Sequence, residues 1–162
     1  MACGEESRFA AEDGWEALAS FSLPSEPGGD RRAMELVAQI VRGRGLSPML
    51  LERLKTAVAE ATLNAIEHGN QYRRELPVQV EVWASRHALA VTVTDQGSGP
   101  PAGEPGEPDL DRKLAAEQTP RGWGLFLIRS MVDAVTVREE RGQHTVELRL
   151  SLSEGETARN ET

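Results

Sequence analysis

Cysteine, aromatic residues and long apolar runs are all scarce in this sequence of 162 residues. The one cysteine, Cys3, cannot form an internal disulfide, so nothing indicates an oxidising compartment. No apolar stretch approaches the ~18 residues of a membrane span, and the first residues contain no apolar signal segment. Aromatic residues make up only 4%, so the 39% of hydrophobic residues predict an aliphatic core. We therefore expect a soluble, cytoplasmic protein.

Positive charge is also in short supply. The formal net charge is -8 and the sequence pI is about 5.0. This balance disfavours a general binder of nucleic acids or membrane surfaces, because both are polyanionic and would be repelled. A protein partner or a small ligand is favoured instead. An anionic ligand such as a nucleotide would need backbone N–H groups or a metal ion to offset the field of the protein.

The length is that of one domain, since domains commonly run ~100 to 200 residues. We place this domain at residues 14–152, between a flexible N-terminus at 1–13 and a flexible tail at 153–162. Residues 97–120 are rich in glycine, proline and acidic residues. A stretch of that length is typical of a functional lid or of a disordered linker.

Apolar residues recur at helical spacing in three stretches. Asp30 and Ser47 are predicted N-cap residues, and Pro48 suits the first position of a helix. The third stretch is uniformly apolar and follows a glycine-rich segment. The predicted helices are Asp30 to Arg42, Ser47 to Gly69 and Gly124 to Val132.

Alternating apolar residues predict strands that are joined by short turns. Two hairpins are expected, one turning around Ser85 to Ala88 and one at Arg141-Gly142. The early helices and neighbouring strands favour a two-layer α/β sandwich over an alternating parallel sheet. The predicted strands lie at Trp15 to Leu23, Val78 to Val82, Leu89 to Val93, Ala134 to Arg138 and His144 to Leu152.

Three polar residues on the second predicted helix are spaced by four: Glu60, Asn64 and His68. Each is offset by only ~40° from the one before, so they form one stripe beside the apolar face. In a cleft, Asn64 could offer an amide oxygen to Mg²⁺ and Glu60 could polarise a hydroxyl or water. The alternative is an ordinary solvated helix face.

Two glycine-containing segments are further candidates. Asp95 ends a buried strand and precedes Gly97 and Gly99, so its carboxylate could accept a hydrogen bond from an exocyclic amine such as that of adenine. The alternative is an Asx turn that leaves the strand. Arg121-Gly122-Trp123-Gly124 precedes a predicted helix, where free N–H groups favour phosphate. The alternative there is a glycine hinge with a surface arginine.

Read together, the three segments resemble the Bergerat-fold ATPases, the superfamily of gyrase, histidine kinases and mismatch-repair ATPases. The resemblance is strongest to the stand-alone anti-sigma factor serine/threonine kinases and runs from about Phe21 to Leu150. It implies a histidine kinase-like ATPase fold, an α+β sandwich whose mixed, mostly antiparallel sheet is covered on one face by helices. The matching segments are Glu60 to Gly69 (the N box), Asp95 to Gly99 (the first glycine box) and Arg121 to Leu125 (the second glycine box).

The resemblance also implies roles for single residues. Asn64 would bind Mg²⁺, Glu60 would act as the general base, and Asp95 would bind the adenine amine. Gly122 and Gly124 would meet the phosphates of ATP. The predicted ATP-binding residues are Asn64, Asp95, Gly97, Gly99, Arg121, Gly122, Trp123, Gly124, Leu125 and Thr145, with His68 as a secondary candidate.

Thr145 belongs to that set because the family often has a threonine near the adenine site at this position. One departure from the family pattern is Pro100-Pro101, which follows the first glycine box and could alter how the lid closes over ATP.

The implied function is an ATP-dependent anti-sigma factor kinase. It would phosphorylate an antagonist protein on serine or threonine and would sequester a sigma factor. The alternative is a regulatory module that holds ATP, or no ligand, and sequesters its partner without transferring phosphate. A histidine kinase catalytic half is disfavoured, since the short N-terminal region shows no helical pair with a phosphoacceptor histidine. The family also implies a homodimer, with no direct contact to nucleic acid or membrane.

Overall fold

A five-stranded antiparallel sheet forms one layer of the computed structural model, which describes residues 14–97 and 120–152. All four neighbouring pairs of these strands are antiparallel, so the sheet contains no parallel pair although a mixed sheet was expected. Two of these pairs are hairpins, and a short turn can join only antiparallel strands. In the sheet order β1-β2-β3-β5-β4, the strands are β1 (Glu16–Leu23), β2 (Val78–Ala84), β3 (Ala88–Asp95), β4 (Ala134–Glu140) and β5 (Gln143–Ser151).

Three helices form the second layer: α1 (Gly29–Ile40), α2 (Pro48–Asn64) and α3 (Pro120–Met131). Their buried residues share one core with alternate residues of the strands, such as Val80, Val91 and Leu148. The predicted two-layer α+β sandwich is therefore confirmed. None of the helices in the described ranges has the length and apolar character that crossing a bilayer requires. The predicted flexible ends, residues 1–13 and 153–162, and the lid between 98 and 119 lie outside the described residues.

The start of α2 follows the prediction, but the start of α1 does not. The N–H of Leu50 donates to the Ser47 hydroxyl at 3.1 Å, so Ser47 caps α2. For α1 the N-cap is Gly28, in a left-handed conformation with φ of 93°, and Asp30 lies within the first turn. Gly28 suits this position, because a glycine adopts a positive φ without steric cost. The helix also ends at Ile40, two residues before the predicted end.

The second predicted helix changes character after Asn64. Residues Ala65–Gly69 form a π-helical turn, in which the N–H of Asn70 donates to the carbonyl of Ala65 at 2.8 Å. Each α-helical residue advances the chain by ~100°, so one extra residue in a turn rotates everything after it by about that angle. The rotation presents the end of this helix to the sheet.

The third helix begins earlier than predicted, at Pro120 rather than at Gly124. Proline suits the first helical position, because its φ is already helical and it lacks the N–H that would have no partner there. The second glycine box therefore forms the first turn of α3 instead of a loop in front of it. The helix ends at Met131, one residue before the predicted end.

Candidate functional site

The carboxylate of Asp95 is buried at the end of β3, with 7% of the residue exposed. Its Oδ1 accepts a hydrogen bond from the N–H of Gly97 at 2.7 Å and lies 3.0 Å from Nδ1 of His144. A Cβ on Gly69 would overlap the same carboxylate, so the end of the π-turn packs directly against it. The bond from Gly97 is that of the Asx turn considered above. An ordinary Asx turn lies at the surface, whereas the carboxylate of Asp95 is buried between the end of the π-turn and the sheet.

Only a glycine fits at position 97. Its φ is 70°, and a Cβ at this position would overlap the carbonyl oxygen of Gly142 in the turn between β4 and β5. The chain that leaves Asp95 thus passes close to the closing hairpin, which only a glycine permits. Gly99, the other glycine of this box, lies outside the described residues.

Asn64 lies at the end of α2, where α3 crosses it. A Cβ on Gly124 would be 2.9 Å from Nδ2 of Asn64 and 3.1 Å from its Oδ1. The N box and the second glycine box are therefore in direct contact, although 60 positions separate them in the sequence. Asn64 and Gly69 are five residues apart on one helical segment, or roughly 7 Å along its axis. The amide of Asn64 and the carboxylate of Asp95 accordingly belong to one region.

The start of α3 supplies backbone donors to this region. A helix that begins at Pro120 leaves the N–H groups of Arg121, Gly122 and Trp123 without an intrahelical acceptor, where an anion is favoured. The side chains of residues 120–123 are outside what the structure describes, so the predicted contact of Arg121 with phosphate stays a prediction. Leu125 is 3% exposed and packs in the core, so its side chain anchors the helix.

Glu60 lies one turn before Asn64 and is partly buried. Burial raises the pKa of the Glu60 carboxyl above its ordinary value, and the negative charges of Asp30 and Glu67 raise it further. A carboxyl group with a raised pKa exchanges protons nearer to neutral pH, which suits a general base or acid. His68, in the π-turn, is also partly buried and stays a secondary candidate.

The side chains of this region suit a metal ion that is coordinated mainly by the phosphates of a nucleotide and by water. Among residues 14–97 and 120–152, no group of three or more histidine, cysteine, aspartate or glutamate side chains could hold a metal ion. Mg²⁺ in phosphate sites needs no such cluster, because phosphate oxygens and waters fill most of its coordination positions. The amide oxygen of Asn64 fits that requirement. It faces Gly124, which has no side chain, near the start of α3.

Comparison with known proteins agrees with this geometry. Residues 23–150 match the family model of the histidine kinase-like ATPase domain. The chain belongs to this family. The match spans most of the sequence and includes all three motifs, so the resemblance drawn from the sequence is confirmed.

The relatives of this ATPase domain include anti-sigma F factors. The protein of Clostridium beijerinckii is 31% identical over 99 residues, which cover 57% of this chain and 64% of that relative. The protein of Bacillus licheniformis is 30% identical over 88 residues, covering 54% and 59% of the two chains. The chain therefore matches less than two thirds of the length of either relative.

Two solved structures share the fold. The RsbU and RsbW domains of Rv1364c from Mycobacterium tuberculosis superpose with a TM-score of 0.55 at 16% identity, covering 82% of this chain and 32% of that one. The SiaB-SiaC complex from Pseudomonas aeruginosa gives 0.51 at 14% identity, covering 83% and 90%. At such identities the likeness shows the fold alone.

One predicted residue of this ATPase domain lies on the wrong side of the sheet. The hydroxyl groups of Thr94 and Thr145 are 2.9 Å apart, and neighbouring strand residues point to opposite faces, so Thr145 faces away from Asp95. The β5 residue that contacts Asp95 is His144. The sequence contains a signal for His144, because residues two apart on a strand face the same side of the sheet and Val146 is buried. Motif position alone selects Thr145, whereas the alternation of side chains along β5 selects His144.

A second residue of the site was missed altogether. Asn70 is fully buried, and its Oδ1 accepts a hydrogen bond from the N–H of Gln96, the residue after Asp95, at 2.8 Å. Its Nδ2 donates to Ser25 Oγ and to the carbonyl of Leu76, both at 3.0 Å. Asn70 therefore fixes the chain on either side of the site. No sequence pattern marks such a role, since its partners lie on distant segments.

Proposed function

We propose that this chain is an ATP-dependent anti-sigma factor serine/threonine kinase, which binds Mg-ATP, phosphorylates an anti-sigma factor antagonist and sequesters a sigma factor. The observation that carries the proposal is the convergence of the three motifs, through the contacts of Asn64 with Gly124 and of Asp95 with Gly69. The anti-sigma F factors among its relatives support the choice of partners. A homodimer and a cytoplasmic location remain predictions.

Different residues would bind the adenine, the phosphates and the metal ion. Asp95 would accept a hydrogen bond from the exocyclic amine of adenine, and Gly97 would let the backbone approach the flat ring. The backbone N–H groups at the start of α3 would donate to phosphate oxygens. Asn64 would place its amide oxygen on Mg²⁺. When bound, Mg²⁺ would neutralise phosphate charge in a chain whose own formal net charge is -8.

In the transfer step, Glu60 would take the proton of a serine or threonine hydroxyl on the antagonist. The hydroxyl oxygen would form a bond to the γ-phosphorus, and the bond from that phosphorus to the bridging oxygen of ADP would break, with the electron pair leaving on ADP. The chain contributes positioning and electrostatic stabilisation more than covalent chemistry. Glu60 suits its role because burial and its acidic neighbours raise its pKa.

The second candidate is a regulatory module that binds ATP without transferring phosphate. This alternative needs the same contacts between the three motifs but no general base. The two candidates share the nucleotide site and differ only in the fate of the γ-phosphate.

Labelled ATP separates the candidates. The purified protein is incubated with Mg²⁺, γ-labelled ATP and a candidate anti-sigma factor antagonist protein. Label on serine or threonine of the antagonist supports the kinase, and nucleotide binding without label supports the module. Asn64→Ala should lower Mg²⁺-dependent ATP affinity by at least about ten-fold, whereas Gln39→Ala, an exposed amide on α1, should not. Failure of the wild-type protein to bind ATP would exclude the kinase and the ATP-binding module, and would leave only a module that sequesters its partner without a ligand.

A further inference from the structure

His144 is held between two carboxylates in a row across three strands. It pairs with Asp95 of β3 on one side and with Glu139 of β4 on the other. Its Nδ1 lies 3.0 Å from Asp95 Oδ1, and its Nε2 lies 3.2 Å from Glu139 Oε2. Only 6% of His144 is exposed, so a polar ring is buried here with a carboxylate at each nitrogen.

This arrangement fixes the orientation of the Asp95 carboxylate. A carboxylate only accepts hydrogen bonds, so the contact with Asp95 requires the form of His144 that carries a proton on Nδ1. Oδ1 also accepts the N–H of Gly97 at 2.7 Å, and Gly69 packs against the carboxylate from the helix side. The two donors approach Oδ1 from different segments, so the group cannot rotate without breaking one of them. Glu139 orients the imidazole ring from the far side.

We infer that His144 is a positioning residue for nucleobase selection. It holds Asp95 in the orientation that accepts a hydrogen bond from an exocyclic amine, so that the site prefers adenine to a base with a carbonyl group at that position. The inference rests on the proposed binding of ATP. A fixed acceptor discriminates because a carbonyl in front of it leaves two acceptors facing each other, and neither finds a donor.

The test compares ATP with inosine triphosphate, which carries a carbonyl in place of the amine. Affinities for both are measured by calorimetry with Mg²⁺ for the wild type, His144→Phe and His144→Asn. Phenylalanine keeps the ring volume without hydrogen bonds, and asparagine can place an amide nitrogen where Nδ1 stood. We expect His144→Phe to lower the preference for ATP on the order of ten-fold, the size of one charge-assisted hydrogen bond. His144→Asn should keep most of the preference.

His87→Phe is the matched control, since His87 is exposed in the turn between β2 and β3. It should leave the preference unchanged. An unchanged preference in His144→Phe would overturn the inference while leaving the proposed function intact. If the wild type binds neither nucleotide, the proposed function and the nucleobase role both fail.

A second measurement needs no nucleotide and no variant of His144. Nitrogen-15 spectra of the imidazole rings should show a proton on Nδ1 of His144 that exchanges slowly with water, with the exposed ring of His87 as the fast internal reference. Asp95→Asn should shift that signal. A bare Nδ1 in the wild type would exclude His144 as the donor to Asp95, whatever the protein binds.

Discussion

Two carboxylates of the site lie in contrasting surroundings. Asp95 is buried among donors, from the N–H of Gly97 and the ring of His144, which suits a fixed acceptor. Glu60 is partly buried near Asp30 and Glu67, whose negative charges add to burial in raising its pKa. Residues of one chemical class can thus serve as a recognition group and as a base, because their neighbours differ.

The pKa of Glu60 predicts a pH-dependent effect of its removal. A carboxyl whose folded-state pKa is raised binds its proton more tightly in the folded protein, so stability falls as pH rises from the ordinary pKa through the raised one. Glu60→Gln should therefore increase the free energy of unfolding at neutral pH, by at most about 1 kcal/mol because solvent screens a partly exposed group. Below the ordinary pKa the difference should vanish.

Urea unfolding at about pH 3, below the ordinary pKa of a glutamate carboxyl, and at about pH 7.5 measures this difference. Glu52→Gln is the matched control, because Glu52 is an exposed carboxylate on the same helix. A loss of stability in Glu60→Gln at neutral pH would show that the ionised carboxylate stabilises the fold, contrary to the expected sign.

Among the elements, α2 and α3 pack against each other, and Gly124 lies in their interface. Gly124 lets α3 approach α2 closely enough to contact the Asn64 amide. The π-turn after Asn64 then places Gly69 against Asp95, which joins the same helix to the sheet. One helical segment therefore sets the positions of both the metal-binding candidate and the adenine-binding candidate. π-turns are frequent at functional sites, and here the turn has an identifiable structural effect.

Gly124→Ala should separate nucleotide binding from stability. The added Cβ would lie 2.9 Å from Nδ2 of Asn64, the flexible end of a side chain, which would move aside. We expect Mg²⁺-dependent ATP affinity to fall by about ten-fold or more as the amide oxygen is displaced. Stability should change by only about 1 kcal/mol, because the helical preference of alanine offsets the crowding.

Calorimetry with and without Mg²⁺, together with thermal unfolding, measures both effects. Ser130→Ala is the control on α3, because Ser130 is exposed and bonds only the carbonyl of Phe126 one turn earlier among the described contacts. Metal-dependent affinity that survives in Gly124→Ala would refute the role given to the contact between Gly124 and Asn64.

At the scale of the whole molecule, Asn70 joins segments that lie far apart in the sequence. Its amide connects the loop at Ser25, the carbonyl of Leu76 and the N–H of Gln96, and the Ser25 hydroxyl donates to the same carbonyl at 2.6 Å. The loop before α1, the end of the π-turn, the start of β2 and the end of β3 are thereby held together.

Asn70→Ala should lower the free energy of unfolding by about 3 kcal/mol, since several buried partners would lose their hydrogen bonds at once. Asn70→Asp should be at least as damaging, because its second oxygen would face the carbonyls of Leu76 and Pro77. Urea denaturation measures both variants, with Gln39→Ala as the exposed-amide control. A loss below about 0.5 kcal/mol in Asn70→Ala would show that water replaces these bonds.

The elements of the fold could be predicted because their signals are local. Alternation defined the strands of both hairpins, and Ser47 with Pro48 marked the start of α2 within a few residues of chain. The order and spacing of three motifs were sufficient to indicate the family, which the match over residues 23–150 confirms. Sequence alone thus determined the layers and the class of domain, and it proposed the site residues, whose roles stay predictions.

Only the tertiary structure decided how the site is assembled. Gly28 replaced Asp30 at the start of α1. His144 replaced Thr145 beside Asp95, because the pairing of β3 with β5 sets which side chains face the helices. The Asn70 junction joins residues 26 and 45 positions apart. Such contacts depend on the distance between chain segments after folding, and no window of sequence contains that distance.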